Sequence, residues 1–133
     1  MRILCLLITF LISLSPAFCQ HQYLEKEYQN VWCSANRGVT EYRLTDGARV
    51  DCVTQTHAIE FDFANKWAES IGQSLYYGKS LCKKAGVVLI MENPQKDFRY
   101  LKRLQSVADI YNITVWTMTP DDIKKYVLIN NKK

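Results

Sequence analysis

The sequence predicts an α/β domain built on a mixed five-stranded sheet. Three extended runs follow one another between residues 39 and 63, and an Asp46-Gly47 turn joins the first two as a hairpin. Two apolar runs further along the chain are each preceded by a helical pattern, as in crossover units. A meander feeding two crossovers gives a sheet with helices on both sides, in the order helix-β-β-β-helix-β-helix-β with a short terminal helix.

The first half of the chain contains one helix and three strands. Apolar residues at helical steps predict a helix over 22–36, and Arg37-Gly38 ends it. The hairpin strands cover 39–44 and 49–54. The run 57–63 alternates in character and predicts a strand with one acidic face.

The second half alternates helices with apolar strands. Residues 64–81 form an amphipathic helix pattern, and VVLIM at 87–91 predicts a central strand buried on both faces. A second amphipathic helix over 97–112 leads into a strand at 113–118. Residues 119–122 have the composition of a helix N-terminus and predict a short final helix.

The first nineteen residues have the features of a secretion signal. Arg2 precedes an apolar run of about a dozen residues, too short to span a bilayer, and Ala17 and Cys19 supply small residues before Gln20. We expect a signal peptide at 1–19 and a single domain at 20–133, secreted or periplasmic with no retained membrane anchor. Lipoprotein processing at Cys19 is the alternative, but Phe18 fits such a site poorly.

The composition is that of an ordinary globular domain. The chain has 133 residues, 48% of them hydrophobic and 23% charged, which argues against disorder. The net charge of +4 permits contact with a polyanion without requiring it. Beyond the leader, Cys33, Cys52 and Cys82 allow either one disulfide with one free thiol or three buried thiols.

Three acidic residues on predicted strands raise an energetic question. Asp51, Glu60 and Asp62 could meet on one sheet face or edge, where unpaired carboxylates cost several kcal/mol each. A divalent cation relieves this repulsion, and hard oxygen ligands suit Mg²⁺ or Mn²⁺. In the alternative interpretation, the acids face solvent or pair with nearby basic residues, namely Arg43, Arg49 and Lys66.

Four short motifs occur in a recognisable order. They are Glu27 on the first helix, Gly47 to Asp51 on a strand, Glu60-Phe61-Asp62 on the next strand, and Gln73 to Tyr77 on the following helix. The stretch resembles the PD-(D/E)XK, or restriction-endonuclease-like, nuclease superfamily, in particular its Holliday-junction-resolvase and RecB-nuclease branches. The resemblance implies a restriction-endonuclease-like fold for the domain. The first half of the domain resembles the family in its motifs, and the second half resembles it in topology only.

The resemblance also implies roles for individual residues. Asp51 and Glu60, helped by Asp62, would hold Mg²⁺ or Mn²⁺ while a water molecule attacks a phosphodiester. Gln73 and Tyr77 would position the phosphate or the catalytic lysine. Glu27 would complete the acidic cluster, with Glu41 as its competitor.

One position departs from the family pattern. Asp62 stands where the family carries lysine, and Lys66, one helical turn into the next helix, could supply the ammonium instead. The resulting expectation is an exported hydrolase, a metal-dependent nuclease acting on DNA more readily than on RNA. The alternative is a catalytically inactive binding or interaction protein on the same fold.

Other residues have simpler interpretations. We expect His57 to be structural rather than a general base. Trp32, Trp67 and Trp116 lie in apolar stripes and should pack in the core. The basic face of the second amphipathic helix could touch a phosphate backbone, although such faces are usually only solvated, and it is formed by Arg99, Lys102 and Arg103.

Overall fold

A computed structural model describes residues 21–131. Its helices and strands are α1 (Glu25–Ala35), β1 (Val39–Arg43), β2 (Arg49–Val53), β3 (His57–Phe63), α2 (Trp67–Leu81), β4 (Lys84–Ile90), α3 (Pro94–Tyr111), β5 (Thr114–Met118) and α4 (Pro120–Asn130). A 3₁₀ turn, Ala64–Lys66, leads into α2. The predicted signal peptide lies outside the described residues.

The five strands form one mixed sheet in the order β1-β2-β3-β4-β5. β1, β2 and β3 pair antiparallel as a meander, whereas β3, β4 and β5 are parallel and are joined by crossovers through α2 and α3. The predicted class, an α/β domain with a mixed five-stranded sheet and helices on both sides, is confirmed.

The helices divide between the two faces of the sheet. On one face, α1 and α4 pack against β3 and β4 through Tyr28, Phe61, Val88 and Ile123. On the other face, α2 and α3 cover an apolar layer that includes Val87, Leu89 and Leu104. β4 is therefore buried on both sides, as its continuous apolar sequence predicts.

Predicted and observed element ends differ by a few residues. α3 begins at Pro94, three residues earlier than expected, because Asn93 caps it by accepting a hydrogen bond from the Lys96 N–H. β4 begins at Lys84 because its first residues pair with the start of β3.

The cysteines form one disulfide and leave one thiol within the described range. Cys33 on α1 is bonded to Cys52 on β2, and Cys82 is a free, exposed thiol after α2. Among residues 21–131, no helix has the length and apolar character needed to cross a membrane.

Candidate functional site

The predicted acidic residues lie inside the protein. Asp51, Glu60 and Asp62 are 8%, 6% and 5% exposed, and among the described residues none of the three forms an ion pair. Arg49, two residues before Asp51 on β2, pairs instead with Glu41 at 2.9 Å. The interpretation in which these acids face solvent or pair with neighbouring bases is therefore wrong.

The sheet is irregular where the acids meet. The register of β2 and β3 pairs Cys52 with Ile59, and continuing it one step sets Asp51 opposite Glu60, on the same face. The described ladder stops short of that pair. The Asp51 Oδ2 accepts a hydrogen bond from the Phe61 N–H at 2.8 Å, so a carboxylate replaces the main-chain partner that β2 would supply.

The edge strand β1 is also distorted beside Asp51. Glu41 has a φ of 58° and lies between the paired residues Thr40 and Tyr42. A left-handed conformation costs a residue with a side chain about 1 kcal/mol, and such strain is concentrated at functional sites. Both β1 and β2 are therefore irregular beside Asp51.

Burial makes the charged forms of these acids costly. The pKa of Asp62 is raised to about 7, first by burial and then by the charge of Glu25, while Lys66 acts in the opposite direction. Burial likewise raises the pKa of Asp51 and of Glu60, and the Asp51 charge adds to the increase at Glu60. The two carboxyl groups therefore retain a proton between them near neutral pH.

Glu60 also has an unsatisfied atom. Its Oε2 is buried and has no hydrogen-bond partner among residues 21–131. A buried oxygen left in this state costs about 1 to 3 kcal/mol unless a ligand or water meets it. The unpartnered Oε2 is therefore the atom of the cluster that is free to accept a hydrogen bond or to meet a cation.

The helix acid at this site is Glu25 rather than the predicted Glu27. The Glu27 carboxylate accepts the Leu24 N–H at 2.6 Å and so caps α1. The charge of Glu25 instead raises the pKa of all three strand acids, while burial raises its own pKa and Lys66 lowers it. The structure thus brings Glu25, not Glu27, to the cluster.

Gln29, also on α1, lies beside Glu25 and was not predicted from the sequence as a site residue. Gln29 is 3% exposed, its Nε2 lies 3.4 Å from a Glu25 oxygen, and its Oε1 has no partner among the described residues. The sequence signal was present, because Glu25, Gln29 and Cys33 occupy steps i, i+4 and i+8 of one helix face.

The predicted residues of α2 and its approach lie near the acids. Lys66 is exposed just before α2, and its charge lowers the pKa of both Asp62 and Glu25. Tyr77 is buried, and burial is the main cause of its raised pKa. The charge of Glu60 is the second cause. The Gln73 side chain, four residues earlier on α2, lowers the Tyr77 pKa, so the two side chains are neighbours on this helix.

The donor set fits a hard divalent cation that keeps most of its own water. Within residues 21–131, no three His, Cys, Asp or Glu side chains converge as a complete metal cage. Mg²⁺ does not require one, since it is commonly held by one or two carboxylates together with water and substrate phosphate. Asp51 and Glu60 are two carboxyl groups of this kind, and the Glu60 Oε2 has no hydrogen-bond partner among the described residues.

His57 and the tryptophans lie apart from this chemistry. The His57 Nε2 is 3.0 Å from the Thr114 Oγ1, its Nδ1 is 2.8 Å from the Thr56 Oγ1, and its ring packs edge-on against Trp116. Trp32 and Trp116 pack against the α1 side of the core, and Trp67 packs against the opposite side.

Comparison with known proteins gives no relative for this chain. No family model, curated protein or solved structure matches it.

Proposed function

We propose that this protein is an exported nuclease that uses Mg²⁺ or Mn²⁺ to hydrolyse phosphodiester bonds in DNA, with RNA as the lesser substrate. The observation that carries the proposal is the buried Asp51 and Glu60 pair, with the Glu60 Oε2 unpartnered among the described residues. A restriction-endonuclease-like core is part of the proposal. The element order and the placement of the three motifs on β2, β3 and α2 support it.

Each residue of the proposed site has its own role. Asp51 and Glu60 would hold the cation, and Asp62 and Glu25 would add negative charge around it. When bound, such a cation polarises a phosphoryl oxygen and lowers the pKa of a coordinated water. Lys66 would face the charge that develops on the phosphate, and Gln73 with Tyr77 would orient that phosphate.

A second candidate is a nucleic-acid-binding protein on the same fold that does not hydrolyse its ligand. The specific observation in its favour is Asp62, which occupies the position where the resembled family carries lysine. In this case the acids would serve as a cation site only, and Lys66 would have no catalytic role.

Plasmid DNA cleavage by the purified protein tests both candidates. The assay is run with Mg²⁺, with Mn²⁺ and with excess chelator, and then with Asp51→Asn. Asparagine can still accept the Phe61 N–H, so the variant removes the charge with little change in the strand. We expect cleavage that requires metal and falls by at least about a hundredfold in the variant.

Asp109→Asn is the matched control, because Asp109 is an exposed aspartate on α3. It should cleave as the wild type does. Metal-dependent DNA binding without cleavage by the wild type would favour the second candidate. Cleavage that survives the chelator or Asp51→Asn would contradict the proposed site.

A further inference from the structure

One face of α1 carries the polar residues of the site and ends in a covalent link. Glu25 and Gln29 are followed, four residues later on the same face, by Cys33, which is bonded to Cys52. Cys52 is the residue after Asp51 on β2. The disulfide therefore joins the helix that bears Glu25 directly to the strand that bears Asp51.

Apolar contacts hold α1 against β3 and α4 through Tyr28, Val31 and Trp32. The face of α1 that bears Glu25 and Gln29 is linked covalently to β2 by the Cys33–Cys52 disulfide. With a helix radius of about 5 to 6 Å, a rotation of about 20° moves a side chain by about 2 Å. That shift is comparable with a whole Mg²⁺–oxygen distance of about 2.0 to 2.1 Å.

The backbone at Gly38 packs closely against the Cys33–Cys52 disulfide. A Cβ at Gly38 would lie 2.5 Å from the Cys52 Sγ and 2.6 Å from the Cys33 Sγ. The Gly38 N–H also donates to the Cys33 carbonyl oxygen at 2.8 Å. The turn after α1 thus closes directly over the disulfide.

We propose that the Cys33–Cys52 disulfide is a positioning device for the acidic site, so that the site is assembled only after these two thiols are oxidised. The inference rests on the proposed function. In forming the bond, the two thiols release two protons and transfer two electrons to a disulfide oxidant, which leaves as two thiols. A chain still in a reducing cytoplasm would keep Glu25 and Gln29 out of register with Asp51 and would remain inactive there.

The test compares oxidised and reduced forms of the protein in a Cys82→Ser background, which removes the exposed third thiol. Mn²⁺ binding is measured by titration, and DNA cleavage is measured as a function of Mn²⁺ concentration. We expect reduction, or Cys33→Ala with Cys52→Ala, to raise the half-saturating Mn²⁺ concentration by about tenfold or more. Circular dichroism must show that the reduced form is folded at the temperature used.

Leu104→Ala is the matched control. It lowers stability from the opposite face of the sheet, where Leu104 is fully buried on α3, and should leave the Mn²⁺ midpoint unchanged. An unchanged midpoint in a folded reduced chain, or an equal shift in Leu104→Ala, would overturn the positioning role. An oxidised wild type that neither binds Mn²⁺ nor cleaves DNA would instead overturn the proposed function.

If the reduced chain does not fold at any temperature, Gln29→Leu replaces it in the comparison. This variant keeps the disulfide but removes the polar group between Cys33 and Glu25. A raised Mn²⁺ midpoint supports alignment through this face of α1, and an unchanged one contradicts it.

Discussion

The carboxyl groups of Asp51, Glu60 and Asp62 tie the stability of the protein to pH. Burial raises the pKa of each, to about 7 for Asp62, from usual values of 3.8 to 4.5. The folded chain thus retains protons that the unfolded chain releases, and its stability is greatest below about pH 4 and falls as pH rises through 7. Glu25, whose pKa burial also raises, adds to this trend. His57, whose pKa burial lowers, and Asp46, whose pKa a hydrogen bond from Tyr76 lowers, act in the opposite direction.

Urea unfolding in excess chelator, at intervals from pH 4 to pH 8, measures this dependence. We expect the free energy of unfolding to decline across the range and the decline to be shallower in Asp62→Asn. A saturating divalent cation should reverse the trend, because the metal competes with protons for the carboxylates. Stability that rises steadily from pH 4 to pH 8 in chelator would contradict the arrangement of buried acids.

The carboxyl group of Glu60 lowers the stability of the folded protein at pH 7, although the proposed chemistry requires it. Burial and the Asp51 charge favour the protonated form of Glu60 in the folded chain, which at pH 7 costs about 1.4 kcal/mol for each unit by which the pH exceeds the unfolded pKa. Glutamine is neutral at every pH and has nearly the same shape. We expect Glu60→Gln, measured by calorimetry in chelator, to gain about 1 to 3 kcal/mol at pH 7, to gain little at pH 4, and to lose cleavage.

Glu69→Gln provides the comparison, because Glu69 is an exposed glutamate on α2 and its change should be close to neutral at both pH values. A loss of stability in Glu60→Gln at pH 7 would show that the carboxylate is satisfied in the folded protein by something that glutamine cannot replace.

At the scale of elements, Gly38 in the turn between α1 and β1 is constrained by contact rather than by its own backbone conformation. A Cβ at Gly38 would press on both sulfurs of the disulfide, whereas at Gly72 on α2 it would meet nothing within 4 Å in the described part of the chain. We expect Gly38→Ala to lose about 1 to 3 kcal/mol. Gly72→Ala should gain about 0.5 to 1 kcal/mol, because alanine is the better helix former. Chemical denaturation of both variants measures the contrast, and a neutral Gly38→Ala would contradict the close packing.

The order and type of every element could be predicted because each depends on local pattern. β3 matches its alternating run at both ends, and β4 matches a continuous apolar run except at its start. The helix acid could not be assigned in the same way. The choice between Glu25 and Glu27 depends on how α1 is rotated against the sheet, and Leu24 at the N-cap gives no conventional signal for where the helix begins.

The irregular pairing at Asp51 was beyond sequence prediction for a different reason. Alternation along β2 predicts which face a side chain occupies, but not that Asp51 turns to accept the Phe61 N–H or that Glu41 adopts a positive φ. Both features depend on how β1, β2 and β3 pair with one another. The type of residue at the site was therefore predictable, whereas the geometry that buries it was not.

At the scale of the whole molecule, charge is distributed unevenly around the proposed site. Asp51, Glu60 and Asp62 form an acidic interior, whereas Lys96 and Arg99 on α3 line a crevice that also contains Glu92, Asp97 and Asn65, the residue before Lys66. A polyanion would be repelled by the acids without a cation and attracted along the α3 side.

This distribution predicts the salt dependence of DNA binding. Each phosphate contact contributes about 0.7 to 0.9 to the slope of log affinity against log salt, so losing two contacts lowers the slope by about 1.4 to 1.8. We expect that decrease for Lys96→Ala with Arg99→Ala, measured by fluorescence anisotropy in an Asp51→Asn background that leaves the DNA intact. Lys124→Ala with Lys125→Ala removes the same charge from α4, which packs on the other face of the sheet, and should leave the slope unchanged. Equal slopes in the two double variants would mean that the substrate does not follow α3, and that attraction to the protein depends on net charge alone.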